Sequence, residues 1–543
     1  MGRRPALTLL VFLALLVPPV VAVLGAGVLD RGLSSWATEA LRVLSRPSTW
    51  RSLRFGLVQA ALSATISLGL ALPGAYFLAN LRFPGRRVAE SLTLLPFVLP
   101  GLVVILAVIS FYGRQGVVNR ILGTDLTLVY SAAGIIIAHV MFNYAVALRT
   151  LAGGWRNLDE RLREVSLSLG ESSFGRGVRL YAPLLMPSLL SAWAVVFLYC
   201  FVSFGVVLVF GGVRYATLEV RIFQEMFTNL NLGAAGVLAF LQLLLCAAVV
   251  LLLQLLADRH VRPPREGRTR TIGLWNDASR TRRLVCSLYW GFLGFFLFGP
   301  LAAILVRSLR PGGISPSWSL EAFRALRTGR IGEREVYEII RATFPEVVAT
   351  SLAIAALSAL ATVLISLAAA RSLRGLRAPW VDTMTKMPLA VSSVTFSLGM
   401  RLLWRGMIPP GPLIVITQTV MAFPLVFTTV RGALEAIPLR YLETARSLGA
   451  SRWSRITTVE LPLLRRGLVN AYTFAFALSL ADFTAVLTIG RGEVVTFPVA
   501  MYRLIGFQSF DVALALGVWY ILVVAAAFLV IDATSASRSK EWL

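Results

Sequence analysis

Lysine is nearly missing from this sequence: of 52 basic residues only Lys386 and Lys540 are lysines, and the rest are arginines. A phosphate-cradling P-loop needs a Gly-Lys pair, but Lys386 follows Thr385 and Lys540 follows Ser539. The chain therefore carries no nucleotide-binding loop of that type. Histidine is as scarce, and His139 and His260 alone cannot make a two-His zinc helix or a His-rich metal site, so no metal site is expected. The three cysteines, Cys200, Cys246 and Cys286, lie in or at the edge of apolar runs, a placement for packing rather than for a disulfide. Charge is sparse as well: 15% of the 543 residues are charged, against about 25% in soluble globular chains. A water-soluble multidomain enzyme is excluded, and with no cluster of His, Asp and Glu at membrane depth no catalytic residues are expected.

What fills the chain is apolar: 57% of the residues are hydrophobic. A bilayer span takes roughly 20 such residues. Apolar runs fall at 6–29, 55–81, 88–112, 128–150, 186–212 and 232–257, then at 284–308, 345–370, 379–404, 410–430, 467–490 and 511–531. An all-α polytopic membrane protein of about twelve spans is expected, six on each side of an Arg-rich stretch at 258–283. The net charge of +25 would suggest nucleic acid in a soluble chain. Here its arginines gather in short loops at 82–87, 258–283, 371–378 and 431–466, so the positive-inside rule places these loops, and both termini, on the cytoplasmic side of the membrane. The partner is the lipid bilayer, and no nucleic acid is expected. The first run, behind Arg3 and Arg4, resembles a signal peptide but has no small-x-small cleavage site before Asp30, and reads as an uncleaved first helix.

The second half repeats the first. Glu164 to Gly170 aligns with Glu443 to Gly449 at an offset of 279 residues, which then pairs Ser172 with Ser451, Phe174 with Trp453, Pro183 with Pro462, Phe204 with Phe483 and Gly211 with Gly490, without a gap. The expected organisation is a six-helix repeat at 1–257, a cytoplasmic linker at 258–283 and a second repeat at 284–543. Two parallel repeats imply a pseudo-two-fold axis along the membrane normal and a pathway between the halves.

Each copy of the repeated loop reads as a short helix, a glycine turn at Gly170 or Gly449, and a second helical stretch closed by Pro183 or Pro462. Glu164 and Glu443 are expected early in the first helix, where a carboxylate meets free backbone N–H groups. The apolar side, Leu162, Leu169 and Phe174 in one copy and Leu442, Leu448 and Trp453 in the other, suits insertion into a partner's groove. An interfacial helix resting on lipid headgroups is the alternative.

The pattern Glu-x-Ala-x-x-Leu-Gly, followed by Leu-Pro, resembles the coupling loop of permease subunits of ABC importers. The second copy matches at Glu443, Ala445, Gly449, Leu461 and Pro462, whereas the first has Ser166 at the alanine position and Ala182 before Pro183. The resemblance is to fused, two-repeat permeases of the type I importer fold. It implies two copies of a cytoplasmic ABC ATPase, which hold the ATP and Mg, so that this chain binds no cofactor. It also implies an extracytoplasmic, thiamine-type substrate-binding protein. Among fused permeases, the thiamine importers resemble this chain most, at Arg82 to Arg86, Tyr112 to Gly116, His139 to Asn143, Thr217 to Gln224, Leu478 to Phe483 and Tyr502 to Gly506. Ferric-iron permeases share the plan and remain the alternative.

Inside the spans, Asp482 stands out, because a carboxylate at membrane depth marks a functional site by default. It suits a thiamine cation or ferric iron in the passage; capping a helix break is the competing role. Its repeat mate is Ser203. His139 and Asn143, one turn apart, complete the candidate pathway residues, with interhelical hydrogen bonding as their competing role. An ion-coupled secondary transporter would need more intramembrane carboxylates and would leave the duplicated loops unexplained.

Overall fold

The computed structural model describes residues 13–26, 32–93, 99–212, 214–260, 272–274, 279–310, 317–331, 334–374, 384–385 and 387–536. Among them the chain is helical, apart from two pairs of two-residue strands. A bilayer offers no water to backbone N–H and C=O groups, and helices satisfy both internally. Nine helices among the described residues are long and apolar enough to span, or ten if the bent pair Arg455–Ala481 and Thr484–Gly490 counts as one.

Twelve spans were expected, and two runs account for the difference. The first run yields helix α1, Leu13–Ala26, among the described residues, and the rest of that run lies outside them. The run at 379–404 lies partly outside the described residues. Met387–Ala390 forms a tight 3-10 turn at Pro388, and the helix Ser393–Trp404 begins only after Ser392, whose hydroxyl accepts the Thr395 N–H.

The described structure forms two compact units, neither contiguous in sequence. The first comprises Thr38–Asn229 and Phe240–Pro316; the second comprises Met1–Ala37, Leu230–Ala239 and Ser317–Leu543.

In the first unit, α2 (Pro47–Asn80), α4 (Ala132–Arg156) and α6 (Ala182–Phe201) pack together, with α3 (Gly101–Tyr112) beside α4. The buried face of α2 is made largely of small residues, Gly56, Ala60, Ser63, Ala64, Ser67 and Ala71, at the three- and four-residue spacing that lets helix backbones approach. Pro73 lacks an N–H and leaves α2 one bond short. At this level the Tyr289 hydroxyl donates to the Leu70 carbonyl at 2.8 Å and also pairs with the Tyr144 hydroxyl of α4. Tyr289 lies on α10 (Arg280–Ser308), the first helix after the linker, so that helix belongs to the first unit. Gly74 makes the contact feasible, since a Cβ there would collide with the Tyr289 hydroxyl and come 2.8 Å from that of Tyr144. The described part of the linker is tied to the same place. Strand β2 (Ile272–Gly273) pairs parallel with β1 (Leu81–Arg82), and Leu274 is buried with Phe77, Leu81 and Cys286.

In the second unit, α11 (Phe344–Ser372), α13 (Pro410–Glu435) and α15 (Leu461–Ala481) pack together. A capping box starts α11: the Thr343 hydroxyl accepts from the Glu346 N–H while the Glu346 carboxylate accepts from the Thr343 N–H. Helix α1 belongs here. Its Pro19 carbonyl rests on Gly399 of α12 (Ser393–Trp404), and its Val23 carbonyl lies 2.6 Å from where a Gly236 Cβ would stand, at the start of α9 (Leu232–His260).

The same offset of 279 relates helices of the two units. It superposes α5 (Glu160–Ser168) on α14 (Leu439–Ser447), α7 (Gly205–Gly211) on α16 (Thr484–Gly490), and α8 (Leu218–Phe227) on α17 (Phe497–Gly506), residue for residue. The copies part earlier in the chain. Residues 113–131, including the short helix Val117–Leu122, connect α3 to α4, whereas residues 405–409 alone connect α12 to α13.

Candidate coupling loops and polar clusters

The two repeated loops have one geometry. After α5 the Leu169 N–H bonds the Val165 carbonyl, Gly170 turns left-handed at φ +73°, and the Glu171 N–H returns to the Ser166 carbonyl at 3.1 Å. After α14 the Leu448 N–H bonds Thr444, Gly449 turns at φ +79°, and the Ala450 N–H returns to Ala445 at 3.0 Å. Ser172 and Ser451 then cap the next turn, accepting from the N–H of Gly175 at 3.0 Å and of Ser454 at 3.1 Å. The turn thrusts the same positions outward: Leu169 is 80% exposed and Phe174 82%, Leu448 82% and Trp453 73%. An apolar pair so exposed in each of two copies suits partner binding.

Two details of the expected loop are corrected. Glu164 and Glu443 sit in the middle of their helices, exposed; in the first copy the N-cap is Asp159, whose carboxylate accepts the Arg161 N–H, and in the second it is Pro438. The prolines also do not close the second stretch. Arg176–Tyr181 and Arg455–Glu460 are one-turn π-helices that run directly into α6 and α15, with Pro183 and Pro462 in the first turn of each. Each proline lacks an N–H, yet the helix continues through it. π-Turns of this kind recur at functional sites.

Ser166, at the alanine position of the pattern, is explained by Glu171, which the sequence reading did not single out. The Ser166 hydroxyl, buried, donates to the Glu171 carboxylate at 3.1 Å, and Arg179 approaches its other oxygen at 3.6 Å. The corresponding pair in the second loop is Ala445 and Ala450, so a polar contact in one copy is replaced by a matched apolar pair in the other.

Three of the four candidate pathway residues lie in polar clusters, one in each unit. In the first, His139 and Asn143 of α4 are buried. His139 Nδ1 lies 2.9 Å from Gln59 Oε1, Gln59 donates to the Cys200 carbonyl at 2.9 Å, and Asn143 donates to the His139 carbonyl at 3.0 Å. In the second, Asp482 sits at the break between α15 and α16, a bend of 54°. One of its oxygens accepts the N–H groups of Thr484 at 3.1 Å and Ala485 at 3.4 Å, and the other accepts from Gln418 at 2.9 Å. Gln418 also accepts from Ser358 at 3.0 Å and from Ser479. Ser203, the mate of Asp482, is half-buried at the equivalent break between α6 and α7. Gln59 and Gln418 escaped the sequence reading. The signal for Gln418 was present, because the offset of 279 makes it the mate of His139.

Similarity to known proteins follows the same outline. The profile of the family "binding-protein-dependent transport system inner membrane component" matches twice, at residues 71–263 and 361–536. The thiamine transport system permease protein of Brucella abortus is 32% identical over 516 residues, covering 91% of this chain and 89% of its own. That of Escherichia coli K12 is 29% identical over 481 residues, 85% of each chain. A probable sulfate transport system permease protein of Nephroselmis olivacea is 28% identical over 225 residues, covering 41% of this chain and 78% of its own, as a protein of about one repeat would. Two matched domains, helices long enough to span and the duplicated loop agree: the chain belongs to the binding-protein-dependent transport system inner membrane permeases, the non-catalytic, multi-pass subunits of ABC importers whose ATPase is a separate protein.

Proposed function

We propose that this permease carries thiamine or its phosphates from an extracytoplasmic binding protein into the cytoplasm, in a complex with two copies of a cytoplasmic ATPase. The observation that carries the two-ATPase reading is the loop pair, in which Leu169 and Phe174 reappear as Leu448 and Trp453 at matching exposure on matching turns. Each loop offers one ATPase an apolar anchor of the kind that dominates interface energetics. Similarity to thiamine permeases along most of the chain supports the solute.

In this reading the repeats are 1–257 and 284–543, joined by a linker at 258–283, with both termini cytoplasmic. ATP binding closes the ATPases, and the loops move with them. The π-turns lead without interruption into α6 and α15, so displacement of a loop is transmitted to the helices that end at Ser203 and Asp482. The passage then alternates between outward- and inward-facing states. Asp482, with Ser203 opposite it in the repeat, serves the passage, and a carboxylate suits the thiazolium cation of thiamine. His139 and Asn143 hold α4 to its neighbours.

The test is to purify the chain with its ATPase and binding protein and identify the bound solute by mass spectrometry and metal analysis. Thiamine or a thiamine phosphate is expected. Iron with no thiazolium compound would overturn the solute, and failure to associate with any ATPase would overturn the loop assignment.

A further inference from the structure

At one end of the second unit, two arginines distant in sequence converge. A Cβ placed on Gly492 would lie 3.0 Å from Arg503 Nη2 and 3.8 Å from Arg341 Nη1, so two guanidinium groups share the open face of one glycine. Gly492 has φ +95°, a conformation that favours glycine and keeps that face bare. Arg503 is held by α17 and donates to the Ile340 carbonyl. Burial, and then the charge of Arg341, hold its guanidinium below the ordinary arginine value. Beside them, Arg401 of α12 donates to the Thr488 and Ile489 carbonyls at 3.0 and 3.2 Å and feels the charges of Arg491, Arg405 and Glu493.

The repeat shows that this concentration is not needed to build the fold. At the offset of 279, Arg491 corresponds to Gly212 and Arg503 to Gln224, and α3, which packs as α12 does, carries no basic residue. The first copy reaches the same helices with Gly212 and Gln224 at these positions, and there Arg46 pairs with Glu225 of α8 at 3.3 Å. Arg503 also lies in the Tyr502 to Gly506 stretch, and its neighbour Tyr502 packs its ring 5.2 Å from Phe483, the residue after Asp482. Arg503 therefore sits on a helix that touches the break at Asp482.

We propose that the Arg341–Arg503 pair over Gly492, with Arg401 nearby, is an anion site on the extracytoplasmic end of the second repeat that receives the phosphate group of a phosphorylated solute. Guanidinium groups match phosphate oxygens in geometry as well as charge. A thiamine phosphate carries both charges that this end of the unit addresses: its phosphate meets the arginines and its thiazolium meets Asp482. The proposal rests on the thiamine reading and on termini that face the cytoplasm.

The test uses the complete importer in liposomes, with uptake of thiamine and of thiamine pyrophosphate measured for wild type, R341Q and R341Q/R503Q. Arg341 is exposed, so R341Q is the variant expected to fold normally. Uptake of the pyrophosphate should fall at least tenfold relative to thiamine, whose uptake stays within twofold. In parallel, calorimetry of the full chain in a phosphate-free detergent should show inorganic pyrophosphate binding that R341Q weakens at least tenfold. Equal loss for both solutes would mark a structural element or a docking surface for the binding protein and would overturn the site. No loss for either would overturn it as well. Lost pyrophosphate binding with unchanged solute preference would make it a lipid-phosphate site and refute the solute assignment. If the wild type moved no thiamine compound, the solute reading would fail, while the calorimetry would still decide whether an anion site exists.

Discussion

Gln418 donates to Asp482 at 2.9 Å across two helices of the second unit, while the other oxygen of the same carboxylate caps the segment that follows. Asp482 therefore both closes a helix break and depends on a neighbour that occupies the place of His139 in the other repeat. Asp482→Ala removes the cap, at a cost of about 1 kcal/mol. It also leaves the Gln418 amide without that partner, a further cost of about 1–3 kcal/mol. Asp482→Asn keeps an acceptor at the cap and should lose less. Thermal unfolding in detergent checks this, and a D482A variant that melts with wild type would refute the capping role.

The exposed anchors should matter for assembly rather than for folding. Phe174→Ala and Trp453→Ala remove side chains with few internal contacts, so the melting temperature should stay near wild type. Loss of a central aromatic anchor costs about 2 kcal/mol or more at an interface, roughly 30-fold in affinity. Titration of the reconstituted permease with the ATPase measures it. Unchanged affinity in the double variant would favour a lipid-facing role for both loops.

Ser166 and Glu171 should be replaceable together more readily than singly. Ser166→Ala strips the buried donor from the Glu171 carboxylate, and the loss should be about 1 kcal/mol. The pair Ser166→Ala with Glu171→Ala reproduces the Ala445 and Ala450 arrangement of the other loop and should recover part of that loss. A double-mutant cycle on thermal stability reads the coupling, and strict additivity would contradict it.

The contact of α2 with α10 should be sensitive to a single methyl group. Gly74→Ala drives a Cβ into the Tyr289 hydroxyl, and overpacking of this kind costs about 1–3 kcal/mol. Tyr289→Phe alone forfeits the bonds to Leu70 and Tyr144, yet combined with Gly74→Ala it removes one of the two clashing atoms. The double variant should therefore be less destabilised than the sum of the single ones. A sum or worse would argue against the close approach.

The sequence by itself determined the membrane class, the duplication and the glycine turn of the repeated loop. These depend on local features: apolar length, a constant offset, and hydrogen bonds that close within a dozen residues around Gly170 and Gly449. Helix boundaries were less legible, because hydropathy counts apolar residues while a helix needs its backbone bonds unbroken, and after Pro388 and the Ser392 cap one helix starts only at Ser393. Helix assignment to units lay beyond the sequence. That α1 packs with the second repeat and α10 with the first is decided by close approaches at Gly399, Gly236 and Gly74, between residues far apart in the chain. The same holds for Gln418 on Asp482 and for two arginines meeting over Gly492. Each arises only when helices distant in sequence pack, because a side-chain hydrogen bond or charge contact acts over a few ångströms of space and not along the chain.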